Sequence, residues 1–209
     1  MRQNLFGVCR AHCVLMSIWG IRVMKSELLD RTRSVLVLID FQERLFPHVH
    51  EHQRVLSRID LLVSAAKLMQ VPVLLTEQYP KGLGRTIGEI REALPETRPL
   101  EKMDFSCVSA PGFLEALSAL RRDQVVLAGI ETHICVAQTA LDVSSRGEDV
   151  FVVADATASR RPLDAQTALE RLQRSGLTVI TAESVVFEWL RRAGTEEFKA
   201  LQPKLKALE

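Results

Sequence analysis

The sequence predicts an α/β fold, a three-layer α/β/α sandwich on a mostly parallel central sheet, and three observations lead there. Short, nearly unbroken apolar runs recur at VLVLI (35–39), VPVLLT (71–76), QVVLAGI (124–130), DVFVVA (149–154) and LTVI (177–180). Runs of that length suit strands buried on both faces. Segments of helical period stand between them, and crossovers of that size require parallel pairing with helices covering the sheet. Finally, 209 residues fall short of the about 250 typical of a closed eight-stranded barrel, so the sheet is open.

The elements follow in order. The first run stops abruptly at Asp40, and Val55, Ile59, Leu62, Val63, Ala66 and Met69 then recur at about one helical turn before the strand at 71–76. The stretch Gln78 to Glu101 holds Pro80, Gly82, Gly84, Gly88, Pro95 and Pro99 and reads as a functional or edge excursion, with RPLE (98–101) a less obvious strand. A helix over Phe113–Leu120 opens near Pro111. The strand at 124–130 leads into a helix through about Ser145, stopped by Gly147. Ala165, Ala168, Leu169 and Leu172 mark the next helix, and Val185, Val186 and Trp189 the one after the last strand. The chain divides into a basic N-terminal extension (1–34), an α/β domain (35–194) and a C-terminal segment (195–209), helical and interrupted by Pro203, suited to packing or oligomer contacts.

Composition narrows the function. With 47% hydrophobic and 25% charged residues the chain can build a core, which excludes a disordered or fibrous protein. Twenty-seven basic against 26 acidic residues leave no surplus to drive nucleic-acid binding by charge. Four cysteines are too few for a disulfide scaffold and fit a reducing, cytoplasmic setting. Residues 1–26 carry Arg2, Arg10, Arg22 and Lys25 and no acid, a composition compatible with an organelle presequence and equally with a tail. The apolar run at Val14–Ile21 is far short of the roughly 20 residues that cross a bilayer, so no membrane span is expected there. Cys9, His12 and Cys13 lack a second ligand pair and read as incidental.

In open parallel sheets, ligand sites collect beyond the carboxyl ends of the strands. Asp40, Glu77, Cys135 and Asp155 follow strand runs, and Lys102 follows the RPLE segment. Thr132 is placed to cap the next helix and to put Cys135 in its first turn, where unpaired amides favour an anion and ease ionisation of a thiol. Lys102 would favour the thiolate further, and Asp40 would take the proton. Taken singly each residue has a structural reading: a buried packing cysteine, a turn acid, a solvated lysine. Glu77 reads as a loop-orienting or polar-substrate residue and Asp155 as a cap. Phe41, Phe46, Tyr79 and Phe105 are candidates for an apolar pocket wall. His133 neighbours the cysteine but diverges from it on a helix, and His48, His50 and His52 lack an acidic pattern that would complete a metal site. Cys107 reads as packing. Gly82, Gly84 and Gly88 lack the Gly-Lys-Ser/Thr ending of a phosphate loop.

The blocks VLVLIDFQERLF, VPVLLTEQYPKGLG, PLEKMDFSC and LAGIETHICVAQTALD, in that order, resemble the isochorismatase-like cysteine hydrolases, close to the branch whose physiological reaction is unassigned. The resemblance runs from about Val35 through the helix after Ser184. It implies an Asp-Lys-Cys triad at Asp40, Lys102 and Cys135, a cis peptide at Ile130–Glu131 that aims backbone amides at an oxyanion, and a homo-oligomer. Metal-using relatives place aspartate and histidines after the second strand, where this chain reads Thr76-Glu77-Gln78-Tyr79-Pro80, so no metal and no other cofactor is expected. The resulting expectation is a metal-independent cysteine hydrolase that attacks a small amide or related carbonyl compound with a thiolate. The alternative is a non-hydrolytic small-ligand or protein-interaction scaffold that keeps the pocket.

Overall fold

The computed structural model describes residues 27–208, so the targeting reading of residues 1–26, with Cys9, His12 and Cys13, lies outside the described residues. Six strands form the sheet: β1 (Ser34–Ile39), β2 (Val73–Gln78), β3 (Leu100–Lys102), β4 (Gln124–Ile130), β5 (Asp149–Ala158) and β6 (Thr178–Ile180). All pairs are parallel, in the order β3-β2-β1-β4-β5-β6. The direction of winding reverses between β1 and β4, which opens a crevice at their carboxyl ends. Every residue of β1 and of β4 is buried, as their unbroken apolar character requires.

The helices are α1 (His52–Leu68), α2 (Pro80–Leu83), α3 (Gly88–Ala93), α4 (Phe113–Ala119), α5 (Ala137–Ser145), α6 (Pro162–Arg174), α7 (Ala182–Leu190) and α8 (Glu196–Lys206). They close the sandwich into two cores. One packs residues of α1, α3, α7 and α8 against Leu36, Leu38, Val126 and Ala128. The other packs α4, α5 and Leu172 of α6 against Val35, Val37, Ile39, Val125 and Leu127. Successive residues of β1 thus alternate between the two faces, as strand geometry dictates.

Several elements differ from the sequence reading. The glycine- and proline-rich excursion contains two short helices, α2 and α3, with Pro80 in the first turn of α2 where its missing amide donor is harmless. The less obvious strand expected at RPLE is present as the edge strand β3, but it takes in Lys102 as its last residue, paired with β2 through Thr76–Leu100 and Gln78–Lys102. Helix α8 runs through Pro203 to Lys206, without the amide bond that a residue other than proline would make there. This helix buries Leu201 and is tied to α1 by ion pairing of Lys204 with Asp60. Asp155 lies inside β5 rather than after it, and its Oδ1 accepts the Ala182 amide at 2.8 Å, capping α7.

One glycine fixes the spacing of the central pair. A Cβ on Gly129 would stand 2.5 Å from the Ile39 Cβ and 2.7 Å from the Ile39 carbonyl oxygen. The absence of a side chain therefore lets β1 and β4 meet just below the crevice. Among the described residues no helix is long and apolar enough to cross a membrane.

Candidate active site

Asp40 is the first residue beyond β1, and its backbone is left-handed at φ 58°. Aspartate tolerates that conformation better than most residues. Its carboxylate is wholly buried. Oδ2 accepts the Lys102 Nζ at 2.6 Å, and Oδ1 accepts the Thr76 hydroxyl at 2.7 Å. Thr76 comes from β2 and Lys102 from β3, so three neighbouring strand ends converge on one acid.

Lys102 has no exposed side-chain surface. Besides Asp40, its Nζ donates to Gln78 Oε1 at 2.7 Å and to the Phe105 carbonyl at 3.1 Å. An ammonium has three protons, and these acceptors engage all of them. Burial would pull its proton affinity down, but the Asp40 carboxylate heads the opposing causes, by charge and by hydrogen bond, and Lys102 is raised above its ordinary value. Gln78 is held in turn: its amide N–H donates to Gln42 Oε1 at 2.7 Å, Gln42 Nε2 donates to the Gln78 carbonyl at 2.9 Å, and Gln78 Nε2 donates to the Met103 carbonyl at 2.7 Å.

Cys135 approaches from the other side of the crevice. The Ile130–Glu131 peptide at the end of β4 is cis, and the chain then makes one wide π-helical turn, Thr132–Val136, before α5. Cys135 is buried within this turn and interacts with both Asp40 and Lys102. Burial, and after it the Asp40 carboxylate, push its thiol up from the ordinary value, with Lys102 opposing only in part. The expectation of an easily ionised thiol is therefore corrected: at rest the sulfur keeps its proton, directed at a carboxylate. The capping reading of Thr132 is also corrected. Its hydroxyl caps no amide and, among the described residues, is a buried oxygen without a hydrogen-bond partner. Glu131 takes the position that precedes the turn.

The remaining candidates separate cleanly. Phe41 and Phe46 do not wall a pocket; they are buried in the core on the α1 face, with ring centroids 5.8 Å apart. Aromatic area at a strand end was better used to fill that layer. Glu77 is also buried, and its Oε1 accepts both the Thr86 amide and the Thr86 hydroxyl at 2.7 Å, which orients the loop. Tyr79 and Phe105 stay exposed, with Met103 beside them, as an apolar rim next to the residues that hold Lys102. Glu131 accepts the Arg160 amide at 2.8 Å and the Arg160 Nε at 3.1 Å. His133 meets Ser159 Oγ at 2.9 Å through Nδ1, which leaves it a lining residue of the cleft formed with Arg160, Arg161 and Asp164.

Two residues of the site escaped the sequence reading. Thr76 belongs to an ordinary strand run, and nothing in the run marks the hydroxyl that meets Asp40. Cys107, read as packing, is buried at 0% exposure with its sulfur 3.8 Å from that same hydroxyl. Among the described residues no three His, Cys, Asp or Glu side chains gather as metal ligands.

Residues 34–184 match the Isochorismatase domain family. Isochorismatase domain-containing protein 2A of Mus musculus is 40% identical over 174 residues, 83% of this chain and 82% of the mouse protein. Among solved structures, the MAR1 ribonuclease of Caenorhabditis elegans superimposes with a TM-score of 0.81 at 31% identity, over 86% of this chain and 93% of the worm chain. YcaC of Pseudomonas aeruginosa, in a structure with hexane-2,5-diol and covalent acrylamide, gives a TM-score of 0.83 at 25% identity, over 89% of this chain and 96% of its own. With a buried acid, lysine and cysteine gathered at the sheet's switch point and most of its length matched, this chain belongs to the isochorismatase family and has its hydrolase fold.

Proposed function

We propose that the protein is a metal-independent cysteine hydrolase of a small amide or related carbonyl compound, with Cys135 as nucleophile, Asp40 as proton acceptor and donor, and Lys102 as the charge that holds Asp40 in place. The observation that carries this reading is the sealed Asp40–Lys102 pair, 2.6 Å apart and without exposed side-chain surface, against which the Cys135 thiol lies. A buried ion pair of this kind is expensive to desolvate and weak as a source of stability, which makes a chemical role the better account of it.

In this mechanism the Cys135 sulfur attacks the carbonyl carbon while its proton passes to Asp40. The tetrahedral oxyanion is met by backbone amides of the turn that follows the cis peptide. Collapse of the intermediate breaks the carbon–nitrogen bond, and Asp40 returns the proton to the departing amine. Water, deprotonated by Asp40, then hydrolyses the thioester and restores the thiol. Lys102 stays an ammonium throughout, since all three of its protons are engaged. Glu77 and Gln78, the last two residues of β2, hold Thr86 and Lys102, so the position metal-binding relatives use for ligands is committed to internal bonds.

The covalent acrylamide in the related YcaC structure supports the reading, because acrylamide is both an amide and an electrophile that thiols add to. The test uses the full chain and a library of small amides and esters. Turnover should survive a chelator, Cys135→Ala should abolish it, and intact mass should show a transient adduct in the unaltered protein only. Asp40→Asn should lower kcat by about 10²- to 10⁴-fold, the usual range for losing a positioned acid–base group. Turnover that persists in Cys135→Ala removes the assigned nucleophile.

The ribonuclease name of the worm relative gives a second reading, RNA cleavage. Balanced charge, 27 basic against 26 acidic residues, favours the small molecule. Metal-dependent RNA cleavage by the purified chain, lost on a pocket substitution, would reverse that order. Absence of both turnover and thiol reactivity, with a specific partner bound instead, would favour a non-hydrolytic scaffold. A homo-oligomer belongs to the same proposal: Tyr79, Met103 and Phe105 present an exposed apolar rim suited to a second copy. Light scattering across the working concentration range should give a multiple of the chain mass. Unpaired thiols at Cys107 and Cys135 support a reducing compartment, the cytoplasm, as the working location.

A further inference from the structure

We propose that Thr76 and Cys107 form a thiol–hydroxyl relay that orients the Asp40 carboxylate, making both of them positioning residues for the Cys135 reaction. This inference rests on the hydrolase reading above and adds two residues to it.

Hydrogen-bond direction carries the argument. An ionised carboxylate only accepts, so the 2.7 Å contact between Thr76 Oγ1 and Asp40 Oδ1 uses the single proton of the threonine hydroxyl. That leaves the Thr76 oxygen as an acceptor. The Cys107 sulfur lies 3.8 Å from it, within the range of a thiol donor. Cys107 is completely buried, and burial followed by the Asp40 charge pushes its thiol up to about 11, so it carries a proton throughout the neutral range. Along this contact the donors run in the order Cys107 S–H to Thr76 O–H to Asp40.

The relay is anchored at its far end. Cys107 opens the short 3-10 turn Cys107–Ser109, and its amide donates to Thr139 Oγ1 of α5 at 2.9 Å. Thr139 is itself fully buried. The carboxylate is thereby clamped from two sides, by Lys102 on Oδ2 and by Thr76 on Oδ1. The titratable groups that face it are Lys102 from β3, Cys107 from the 3-10 turn and Cys135 from the π-helical turn. Glu77, adjacent to Thr76, is turned to Thr86 on the opposite side of the strand.

The chemical consequence concerns both proton transfers. Lys102 on Oδ2 and Thr76 on Oδ1 hold the Asp40 carboxylate in one orientation for both transfers, from the Cys135 sulfur and to the leaving group. Without the Cys107 donor the Thr76 hydroxyl is no longer held toward Asp40, and the carboxylate loses part of its orientation.

Two measurements on the full chain test this. The first is NMR of the Thr76 hydroxyl proton. It should exchange slowly in the unaltered protein and in Cys107→Ser, which keeps a donor, and at least tenfold faster in Cys107→Ala. The second is the pH profile of Cys135 alkylation by iodoacetamide, followed by mass of the Cys135 peptide. Thr76→Val should move its acid limb up by about one pH unit, the scale of one hydrogen bond to a charged group. Thr76→Ser should restore it, and Cys107→Ala should move it the same way by less. Unchanged hydroxyl exchange in Cys107→Ala overturns the relay, as does an acid limb that coincides in Thr76→Val, Thr76→Ser and the unaltered chain. Should Thr76→Val fail to fold, the Cys107→Ala and Cys107→Ser profiles decide by the same criterion. A Cys135 that takes no label at any pH while the Thr76 proton remains protected overturns the hydrolase reading instead.

Discussion

Strand β1 is flanked by an ion pair at each end, and the two are opposites. At its amino end Arg33 donates to Asp123 at 2.7 and 2.9 Å and to Glu27 at 2.7 Å, with the arginine side chain 34% exposed. At its carboxyl end Lys102 meets Asp40 at 2.6 Å with both side chains at 0%. The distances are nearly the same, but the surroundings are not. Water screens the first pair and would solvate either partner if the other were lost. Among the described residues, the hydrogen bonds of Asp40 and Lys102 run to each other, to Thr76, Gln78 and the Phe105 carbonyl, with the Cys135 thiol against the pair. Geometry alone therefore says little about what a pair contributes; the cost of leaving one partner alone says more.

The sharpest difference should appear on removing one partner. Lys102→Met leaves a buried carboxylate without its counter-charge and should destabilise the fold by about 3–5 kcal/mol in urea unfolding. Asp40→Asn combined with Lys102→Met should recover most of that loss, since both charges are then gone. If Lys102→Met proves as mild as an exposed pair, the seal around the carboxyl end is looser than the structure indicates. Gly129→Ala tests the same end through packing. A Cβ placed 2.5 Å from Ile39 must push β4 away from β1, at a cost of about 1–3 kcal/mol, and should reduce Cys135 reactivity together with Tm.

Alkaline pH probes the buried thiols. A Cys107 thiol at 9.0 in the unfolded chain and about 11 in the fold means that the native state binds its proton more tightly. Stability from this group is fully present below pH 9 and is lost as pH rises through about 11, by about 2 kcal/mol at pH 11. Urea unfolding from pH 8 to 11 should show this decline, and Cys107→Ser should remove this group's share of it, leaving the part due to the raised Cys135 thiol. The smallest effect belongs to the amino end, where Arg33→Met should change stability by less than about 1 kcal/mol and should become milder still in added salt.

Much of this could be read from residue patterns. The apolar runs place β1, β4 and β5, and the abrupt stop at Asp40 marks a strand end in a crevice-forming position. Lys102 was readable only through the resemblance of its block to a family, because a single lysine between Glu101 and Met103 looks solvated and β3 is only three residues long. Phe41 and Phe46 show the limit of reasoning from a strand end. Their apolar character fits a pocket wall and a core equally, and packing against the α1 layer selected the core. The chemistry of Thr132 misled in a similar way. A threonine at that position has the makings of a cap, but the residue that precedes the wide turn is Glu131, and the Thr132 hydroxyl meets no amide among the described residues.

What the residue order settled is whatever depends on neighbours along the chain: the period of each segment, the strand ends, and the polar residues stationed there. Folding in three dimensions decided which of those residues meet. Asp40, Thr76, Lys102, Cys107 and Cys135 come from five separate segments, and their convergence depends on sheet order and on the close approach of β1 and β4 at Gly129. The protonation state of the sulfur was decided there as well, because burial and the distance to a carboxylate are properties of the assembled site.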